Sequence, residues 1–421
     1  MMKAMNIRKK YVVIFALLVA ALLLLAFSFD AFLNQQSPDL AAYTAQADKL
    51  YKSAFDYVEK TRGVSLPQIP IVVITRAWAQ KTWGGGGSSQ DLQNIMRDEN
   101  FYKGVFLMRE NESLVQAQTN WAGSWVAVTW EDKIYVVREY FNPFVATSEA
   151  TLIHELTHVM QGQLNLPSSP SSYDGVKARA ALIEGDATFM ADFYQNNNSA
   201  PAYTPMKAMI QQPSLLTTES SLVNVYPSIP DSISRMDYFA YDYGKQFVAA
   251  LFAKGGWAAV NAAYANPPTT TAQVLDPDKY YANISAQPVA SVSGPNKSWV
   301  QIRNDQYGEY FVLNMLSSWL PKNETITSVA GWRGDNFTYY EKGNEYLFTW
   351  NIAWRSAFDA SNFSIAFQNV TSAAGSTKGL NGDWGANGRF LSISLDGENS
   401  TLIVCSNNEA AIEQVAPNLA N

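Results

Sequence analysis

The sequence predicts an α+β fold in three parts: an N-terminal transmembrane helix, a central domain of helices around a small sheet, and a small C-terminal α+β module. An uncharged apolar run from Tyr11 to Phe29 predicts the first part. Helical patterns around a few short strands predict the second part over residues 38–276. From about Pro277 the pattern changes to alternating short strands and helices, which predicts a module over residues 277–421.

The N-terminal segment has the charge pattern of a membrane anchor. Basic side chains without any acidic partner occupy the first ten residues, at Lys3, Arg8, Lys9 and Lys10. As a helix, residues 11–29 span about 28 Å, close to the hydrocarbon thickness of a bilayer. Because basic flanks stay inside, we expect a cytoplasmic tail over residues 1–10, a single pass through the cell membrane and an extracellular body. The alternative is secretion after signal cleavage, since Ala26-Phe27-Ser28 fits a cleavage site.

The composition is that of a globular protein, with 47% hydrophobic and 13% aromatic residues. A net charge of −7 argues against nucleic-acid binding, because phosphate backbones attract basic surfaces. The sole cysteine, Cys405, has no partner for an intrachain disulfide. Sequons for N-glycosylation follow the apolar run and none precedes it, which predicts an exported glycoprotein. They begin at Asn111, Asn197, Asn283, Asn296, Asn323, Asn336, Asn362, Asn369 and Asn399.

A small sheet is predicted ahead of the central motif. Leu40 to Glu59 has the periodicity of an amphipathic helix, and Ile69 to Thr75 that of a strand. Val126 to Thr129 and Ile134 to Val137 predict two paired strands across a short polar turn.

The central motif is His154-Glu155-Leu156-Thr157-His158, an H-E-x-x-H pattern inside a helix that Thr147 or Ser148 can cap and Gly162 closes. The two histidines lie one turn apart on one face, so both imidazoles can reach one metal ion. Glu155 lies beside them, where a carboxylate can accept a proton from water on that metal. The chain has only two histidines, so this spacing rarely arises by chance. We therefore predict a metal site.

A second helix, predicted over Asp174 to Tyr194, carries the third candidate ligand, Glu184. The segment after His158 is long enough for a turn and an antiparallel return. Small side chains around Glu184 allow this helix to approach the first one, namely Ala180, Ala181, Ala187, Thr188 and Ala191. Two histidines and one glutamate leave a fourth zinc position for water, as in catalytic sites. Asp186 either orients a ligand histidine or faces solvent.

An H-E-x-x-H motif with a glutamate on a second helix resembles the gluzincin zinc peptidases, the superfamily of thermolysin and aminopeptidase N. The resemblance implies one Zn²⁺ per chain, with His154, His158 and Glu184 as ligands and Glu155 as general base. Downstream, Tyr241-Asp242-Tyr243-Gly244 is similar to the Tyr-x-Lys-Gly element of aminopeptidase-N-like enzymes. In that family the first tyrosine stabilises the transition state, which implies this role for Tyr241. The lysine of the element is replaced here by a tyrosine.

Two departures from the family narrow the expected activity. Thermolysin-type sites hold the oxyanion with a further histidine, and this chain has none, which favours Tyr241. The Gly-x-Met-Glu-Asn element that grips a free N-terminus is missing, and Ala122-Gly123-Ser124-Trp125 lies upstream instead. Exopeptidase specificity is therefore unsupported, and endopeptidase or peptide-trimming activity stays open.

We accordingly expect a membrane-anchored extracellular zinc metallopeptidase that acts on a peptide or protein substrate. The alternative is a catalytically silent cell-surface binding or structural protein on the same scaffold. Glu155 argues against that alternative, because a scaffold needs metal ligands but no base.

The C-terminal module has helix and strand patterns but no motif of known function. Helices are predicted over Gly308 to Leu320, Trp354 to Phe367 and Asn407 to Val415, and strands over Phe337 to Trp350 and Phe390 to Leu395. Four aromatic side chains either line a binding surface or pack in the core, which is the expectation here. They are Trp332, Tyr339, Tyr340 and Trp350.

Overall fold

A computed structural model describes residues 37–84, 89–122, 124–211, 229–378 and 384–415. This part of the chain has an α+β architecture with one small and one large sheet.

Helices dominate the first part of the chain. They are α1 (Ser37–Arg62), α2 (Arg76–Trp83), α3 (Ser89–Gly104), α4 (Leu114–Ala122), α5 (Thr147–Gln161), α6 (Tyr173–Gln195), α7 (Met206–Gln211) and α8 (Asp231–Ala265). Two glycines interrupt α8, since Gly255 and Gly256 have non-helical backbone angles and Gly256 has a φ of 60°. Because glycine adopts positive φ without strain, the chain changes direction there and continues as helix.

The helix ends follow their capping chemistry. In α6 the Ser172 hydroxyl accepts a hydrogen bond from the Gly175 amide, which satisfies one of the free N–H groups of the first turn. The prediction that Thr147 or Ser148 caps α5 was wrong. This helix begins at Thr147 without a side-chain cap, and the Ser148 hydroxyl instead donates to the Asn142 carbonyl.

The small sheet has the strand order β1-β3-β2, with β1 (Ile71–Ile74), β2 (Ala127–Trp130) and β3 (Lys133–Val137). β1 runs parallel to β3, and β2 forms a hairpin with it through Glu131 and Asp132, both at positive φ. The predicted pairing of these strands is confirmed. Within the described residues, β2 lies at the edge of this sheet, on the side that faces α5.

The C-terminal part is built around a seven-stranded antiparallel sheet of order β4-β5-β6-β10-β9-β8-β7. Its strands are β4 (Val300–Asp305), β5 (Trp332–Lys342), β6 (Glu345–Trp354), β7 (Thr377–Lys378), β8 (Trp384–Ala386), β9 (Arg389–Leu395) and β10 (Ser400–Ser406). The accompanying helices are α9 (Thr271–Leu275), α10 (Pro277–Tyr281), α11 (Gly308–Ser317), α12 (Lys322–Val329), α13 (Ala357–Ala373) and α14 (Glu409–Val415).

The predicted fold class needs correction in two respects. First, the C-terminal part holds a large antiparallel sheet and not a small module. One predicted strand, Phe337 to Trp350, is in fact a hairpin that turns at Gly343, where φ is 61°. Second, the predicted fold included a transmembrane helix, but none of the helices in the described residues is long and apolar enough to cross a membrane. The segment for which it was predicted, residues 11–29, lies outside the described residues, as does the predicted tail, 1–10.

One hydrophobic core contains residues from both sides of residue 276, the position of the predicted domain boundary. Phe101 of α3 is fully buried, and its ring centroid lies 4.2 Å from that of Phe337 and 5.1 Å from that of Phe348 in the large sheet. A Cβ added to Gly104 would lie 2.7 Å from the Phe348 ring, so glycine permits this close packing. The four C-terminal aromatic residues are also buried, at 6% exposure or less, which confirms the core-packing expectation.

A second core positions α5. Its apolar face, with Leu152, Ile153 and Leu156, is fully buried against α1 and the inner face of the small sheet, including Ile134 and Val136. Apolar residues at helical spacing on one face leave the opposite face for polar groups. The histidines and Glu155 of α5 lie on that polar side, between β2 and α6.

Candidate metal centre

Helices α5 and α6 bring the three predicted ligands together. His154 and His158 lie one turn apart on α5, and Glu184 approaches from α6. The Nε2 atoms of the two histidines are 3.1 Å apart. Glu184 Oε2 lies 3.3 Å from each of them. Among the described residues, this is the one cluster of histidine, cysteine and carboxylate side chains close enough to hold a metal ion.

Burial and charge act in opposite directions on these side chains. Burial lowers the pKa of His158, but the Glu184 carboxylate, together with Glu155 and Gln161, outweighs burial and raises this pKa to about 10. Burial likewise raises the pKa of Glu184, but His158 and His154 hold it well below its ordinary range. The glutamate is therefore ionised across the physiological pH range and supplies negative charge at the centre of the cluster.

The donor set and its spacing fit a zinc ion. In a tetrahedral site with metal–ligand distances of 2.0–2.1 Å, neighbouring ligand atoms are about 3.3 Å apart, and the three distances here are 3.1, 3.3 and 3.3 Å. The Oε2 atom of Glu184 is buried and accepts no hydrogen bond in the described structure. Such an atom is costly to bury unless a cation or a proton satisfies it. Nitrogen and carboxylate donors in this ratio are those of a catalytic zinc site.

Glu155 is held beside the cluster by the edge strand. The residue is 5% exposed, and the Thr129 hydroxyl of β2 lies 2.7 Å from its Oε2 atom and 3.1 Å from its backbone carbonyl. This contact fixes the carboxylate next to His154 and between β2 and the cluster. Sequence reasoning missed Thr129, and the only signal for it was its position at the end of a strand predicted near the motif.

Tyr241 of α8 lines the same cavities as His154 and Glu155. Its ring stacks on that of His154, with centroids 6.0 Å apart. Burial raises the pKa of Tyr241 well above 10, and the carboxylates of Glu184 and Glu155 raise it further. The phenol therefore keeps its proton and remains a hydrogen-bond donor. Tyr243, by contrast, packs in the core against Phe239 and outside the cleft.

Close packing of α6 and α8 places Tyr241 there. A Cβ on Gly185 would lie 2.2 Å from the Gly244 backbone, and one on Gly244 would lie 2.2 Å from the Ala181 carbonyl oxygen. The small residues of α6 were expected to let it approach α5. The structure shows that Ala181 and Gly185 permit its close approach to α8.

The cluster lies in a cleft between β2 and the helices. Two adjoining cavities of about 610 and 580 Å³ share Trp121, Trp125, Ala127 and Tyr241, and each extends to one side of Glu155. Because each cavity is open, the cleft can receive an extended chain whose ends lie on either side of the cluster. β2 is an edge strand among the described residues, and its residues Ala127, Val128 and Thr129 line one cavity, so it also offers backbone groups for pairing.

Asp186 does not face solvent. It is fully buried, forms an ion pair with Arg62 at 2.7 Å, and accepts a hydrogen bond from the Tyr264 hydroxyl at 2.8 Å. Its Oδ2 atom is 3.5 Å from the Gln161 side-chain amide, which in turn contacts His158. The solvent-facing alternative is therefore wrong, and Asp186 is linked to His158 through Gln161. Sequence reasoning did not identify Gln161, Arg62 or Tyr264.

Comparison with known protein families gives a match in the C-terminal part of the chain. Residues 296–416 match a domain of unknown function (DUF8575). The matched segment covers the large sheet and α11 to α14, and it begins after the cluster and Tyr241 in sequence. No curated protein and no solved structure matches the chain.

Proposed function

We propose that the protein is a zinc-dependent peptidase that hydrolyses internal peptide bonds of a polypeptide bound in the cleft. The observation that carries this proposal is the spacing of three ligand atoms at the edge length of a zinc tetrahedron, with Glu155 held beside them. When bound, zinc supplies Lewis-acid chemistry, since it makes a water more acidic and polarises a carbonyl group.

Glu155 has the position of a general base. Its carboxylate accepts a proton from the attacking water and then donates that proton to the leaving amine. The Thr129 hydroxyl orients one carboxylate oxygen, so the other oxygen can face the cleft. Both actions need a group that lies beside the metal ligands without binding the metal, and the buried position of Glu155 meets this need.

Tyr241 and β2 have complementary tasks on the substrate. The Tyr241 hydroxyl keeps its proton and can donate to the carbonyl oxygen as negative charge develops there. An extended substrate can pair with the free edge of β2, which supplies affinity from backbone hydrogen bonds independent of its sequence. The cavities continue on both sides of Glu155, which supports cleavage within a chain and not only at its end.

Substitution of the base tests this proposal. Glu155→Gln keeps the size of the side chain and its contact with Thr129 but cannot accept the proton. We expect about one zinc per chain in elemental analysis, together with a fall of roughly 10²-fold or more in cleavage of a peptide library. Glu149→Gln, on the same helix but outside the cleft, is the matched control and should cleave like the wild type. Full activity of Glu155→Gln would contradict the proposal.

A further inference from the structure

A hydrogen-bonded amide lies directly behind one ligand histidine. His158 Nδ1 is 2.8 Å from Gln161 Oε1, three residues further along α5. The Nε2 group of the same amide donates to the Ile183 carbonyl oxygen at 2.8 Å. Gln161 is 7% exposed, so water contributes little to these contacts.

The surroundings of Gln161 permit one orientation of its amide. A backbone carbonyl only accepts hydrogen bonds, and Asp186 Oδ2 presents a second acceptor 3.5 Å from Nε2. Rotating the amide by 180° would place its oxygen against both acceptors, which is electrostatically unfavourable. The Gln161 NH₂ group therefore faces Ile183 and Asp186, and its oxygen faces His158.

This orientation determines which nitrogen of His158 carries the proton. Gln161 Oε1 can only accept, so His158 Nδ1 must be the donor in this contact. In the neutral imidazole the other nitrogen, Nε2, then holds a free lone pair. Nε2 is the atom that lies 3.3 Å from Glu184 Oε2 in the cluster.

An ion pair from a distant part of the chain fixes Asp186. Arg62, the last residue of α1, donates to Asp186 Oδ1 at 2.7 Å, and the side chains of both residues are fully buried. The same guanidinium contacts Asn261 Oδ1 and lies over the Trp257 ring, 4.4 Å from its centroid. Asn261 and Trp257 both follow the break in α8. Residues of α1, α6 and the second part of α8 therefore meet at this ion pair.

We infer that Gln161 is a positioning residue that keeps the proton of His158 on Nδ1 and so presents Nε2 to the metal, and that the Arg62–Asp186 pair locks the Gln161 amide. This inference rests on the proposed metal site. If the inference holds, high zinc affinity requires α1 to be packed in its place, because α1 supplies Arg62 to the ion pair with Asp186. Hydrogen-bonding partners of metal-bound histidines typically change metal affinity by about 10–100-fold.

Histidine NMR of the zinc-loaded full chain tests the tautomer directly. With only two histidines in the sequence, a ¹⁵N-histidine-labelled sample gives a simple spectrum. We expect His158 to bind zinc through Nε2 and to carry a slowly exchanging proton on Nδ1. In Gln161→Met that proton should exchange much faster, while the zinc dissociation constant, measured by competition with a chelator, should rise about 10–100-fold.

Gln163→Met is the matched control, because this exposed glutamine two residues further on hydrogen-bonds the Ser65 carbonyl and not a ligand. It should leave the zinc affinity and the His158 signal unchanged. Wild-type zinc affinity and a slowly exchanging Nδ1 proton in Gln161→Met would overturn the inference. Zinc binding with no peptide cleavage by the wild type would instead contradict the proposed function alone.

A double substitution tests the route from Asp186. If Asp186 acts through Gln161, Asp186→Asn should weaken zinc binding in the wild-type background but add no further loss in the Gln161→Met background. Additive losses would overturn this part of the inference. Should Asp186→Asn fail to fold, Arg62→Lys keeps the charge and loses the paired donors, and it is expected to show the same lack of additivity.

Discussion

Glu184 and Asp174 lie on the same helix, α6, but their carboxylates have opposite surroundings. Asp174 is fully buried, and its oxygens accept three hydrogen bonds, from the backbone amide and hydroxyl of Thr271 at 2.7 and 2.6 Å and from the Gln306 side chain at 2.8 Å. Glu184 Oε2 accepts none in the described structure and lies between two histidine nitrogens. Three donors from the protein thus surround one carboxylate, whereas the Oε2 atom of the other faces two histidine ring nitrogens.

The difference separates a carboxylate with a structural role from the carboxylate of the proposed metal site. The donors of Asp174 come from α9 and from the segment before α11, so this carboxylate ties α6 to the C-terminal part of the chain. The acceptor atoms around Glu184 converge on one point, where a cation would satisfy all three. Burial alone does not distinguish these cases, whereas the count of available donors does.

Replacing Glu184 or Asp174 with alanine should have the largest and most different effects, on zinc content in one case and on stability in the other. Glu184→Ala removes one of the three proposed ligands and should lose most of the bound zinc while the protein stays folded. Asp174→Ala leaves buried donors without an acceptor, so it should lower the free energy of unfolding by a few kcal/mol, on the order of 1–3 kcal/mol per unsatisfied group, and keep about one zinc. Elemental analysis and thermal unfolding measure the two effects. Equal zinc in wild type and Glu184→Ala would remove Glu184 from the site.

Substitution of Tyr241 and of Tyr243, the two tyrosines before Gly244, should change kcat to different extents, and this contrast should be smaller than that between the two carboxylates. Tyr241→Phe removes the hydroxyl in the cleft and should lower kcat by about 10²–10³-fold with little change in KM, as expected for one oxyanion donor. Tyr243→Phe is the control, because Tyr243 packs in the core, and it should cost less than about tenfold. Steady-state kinetics on one peptide decides between them. Equal kcat values for the two variants would show that the Tyr241 hydroxyl is not the hydrogen-bond donor to the oxyanion.

The protein stability should also depend on pH through Asp174. Burial raises the pKa of Asp174 to about 7, although its hydrogen bonds lower it. A folded-state pKa above the unfolded value of 3.8 means that folding retains a proton that unfolding releases. The contribution of Asp174 to the free energy of unfolding should therefore be fully present below about pH 4. It should be lost as the pH rises to 7, which lowers the free energy of unfolding by roughly 4 kcal/mol at most.

Asp174→Asn is the matched variant for this pH dependence. Chemical unfolding between pH 4 and 8 should show a smaller decline of stability for the variant than for the wild type. Parallel curves for the two proteins would show that Asp174 does not take up a proton on folding.

The sequence could predict those parts of the fold and the site that depend on residues close together in the chain. Helices α5 and α6, the β2–β3 hairpin and the meeting of His154, His158 and Glu184 follow from local periodicity and spacing. Gln161 was within reach of the same reasoning, because it lies one turn after His158 on the same helix. Arg62 was not, since it is 124 residues from its partner Asp186 and nothing local marks it.

The large sheet was beyond local reasoning for a related reason. Strand β10 pairs with both β6 and β9, and this order depends on contacts between distant segments. The hairpin between β5 and β6 did carry a local signal in Gly343, at the centre of a polar turn.

Returning zinc to metal-free protein while peptide cleavage is followed tests whether the cluster is a catalytic zinc site. The full chain is stripped with a chelator, and zinc is then added in fractions of an equivalent while cleavage of a peptide library is followed. We expect no cleavage without metal and a linear rise that stops at one zinc per chain, with Glu184→Ala remaining inactive at that point. Cleavage by the metal-free protein, or one tightly bound zinc without any cleavage, would contradict the account.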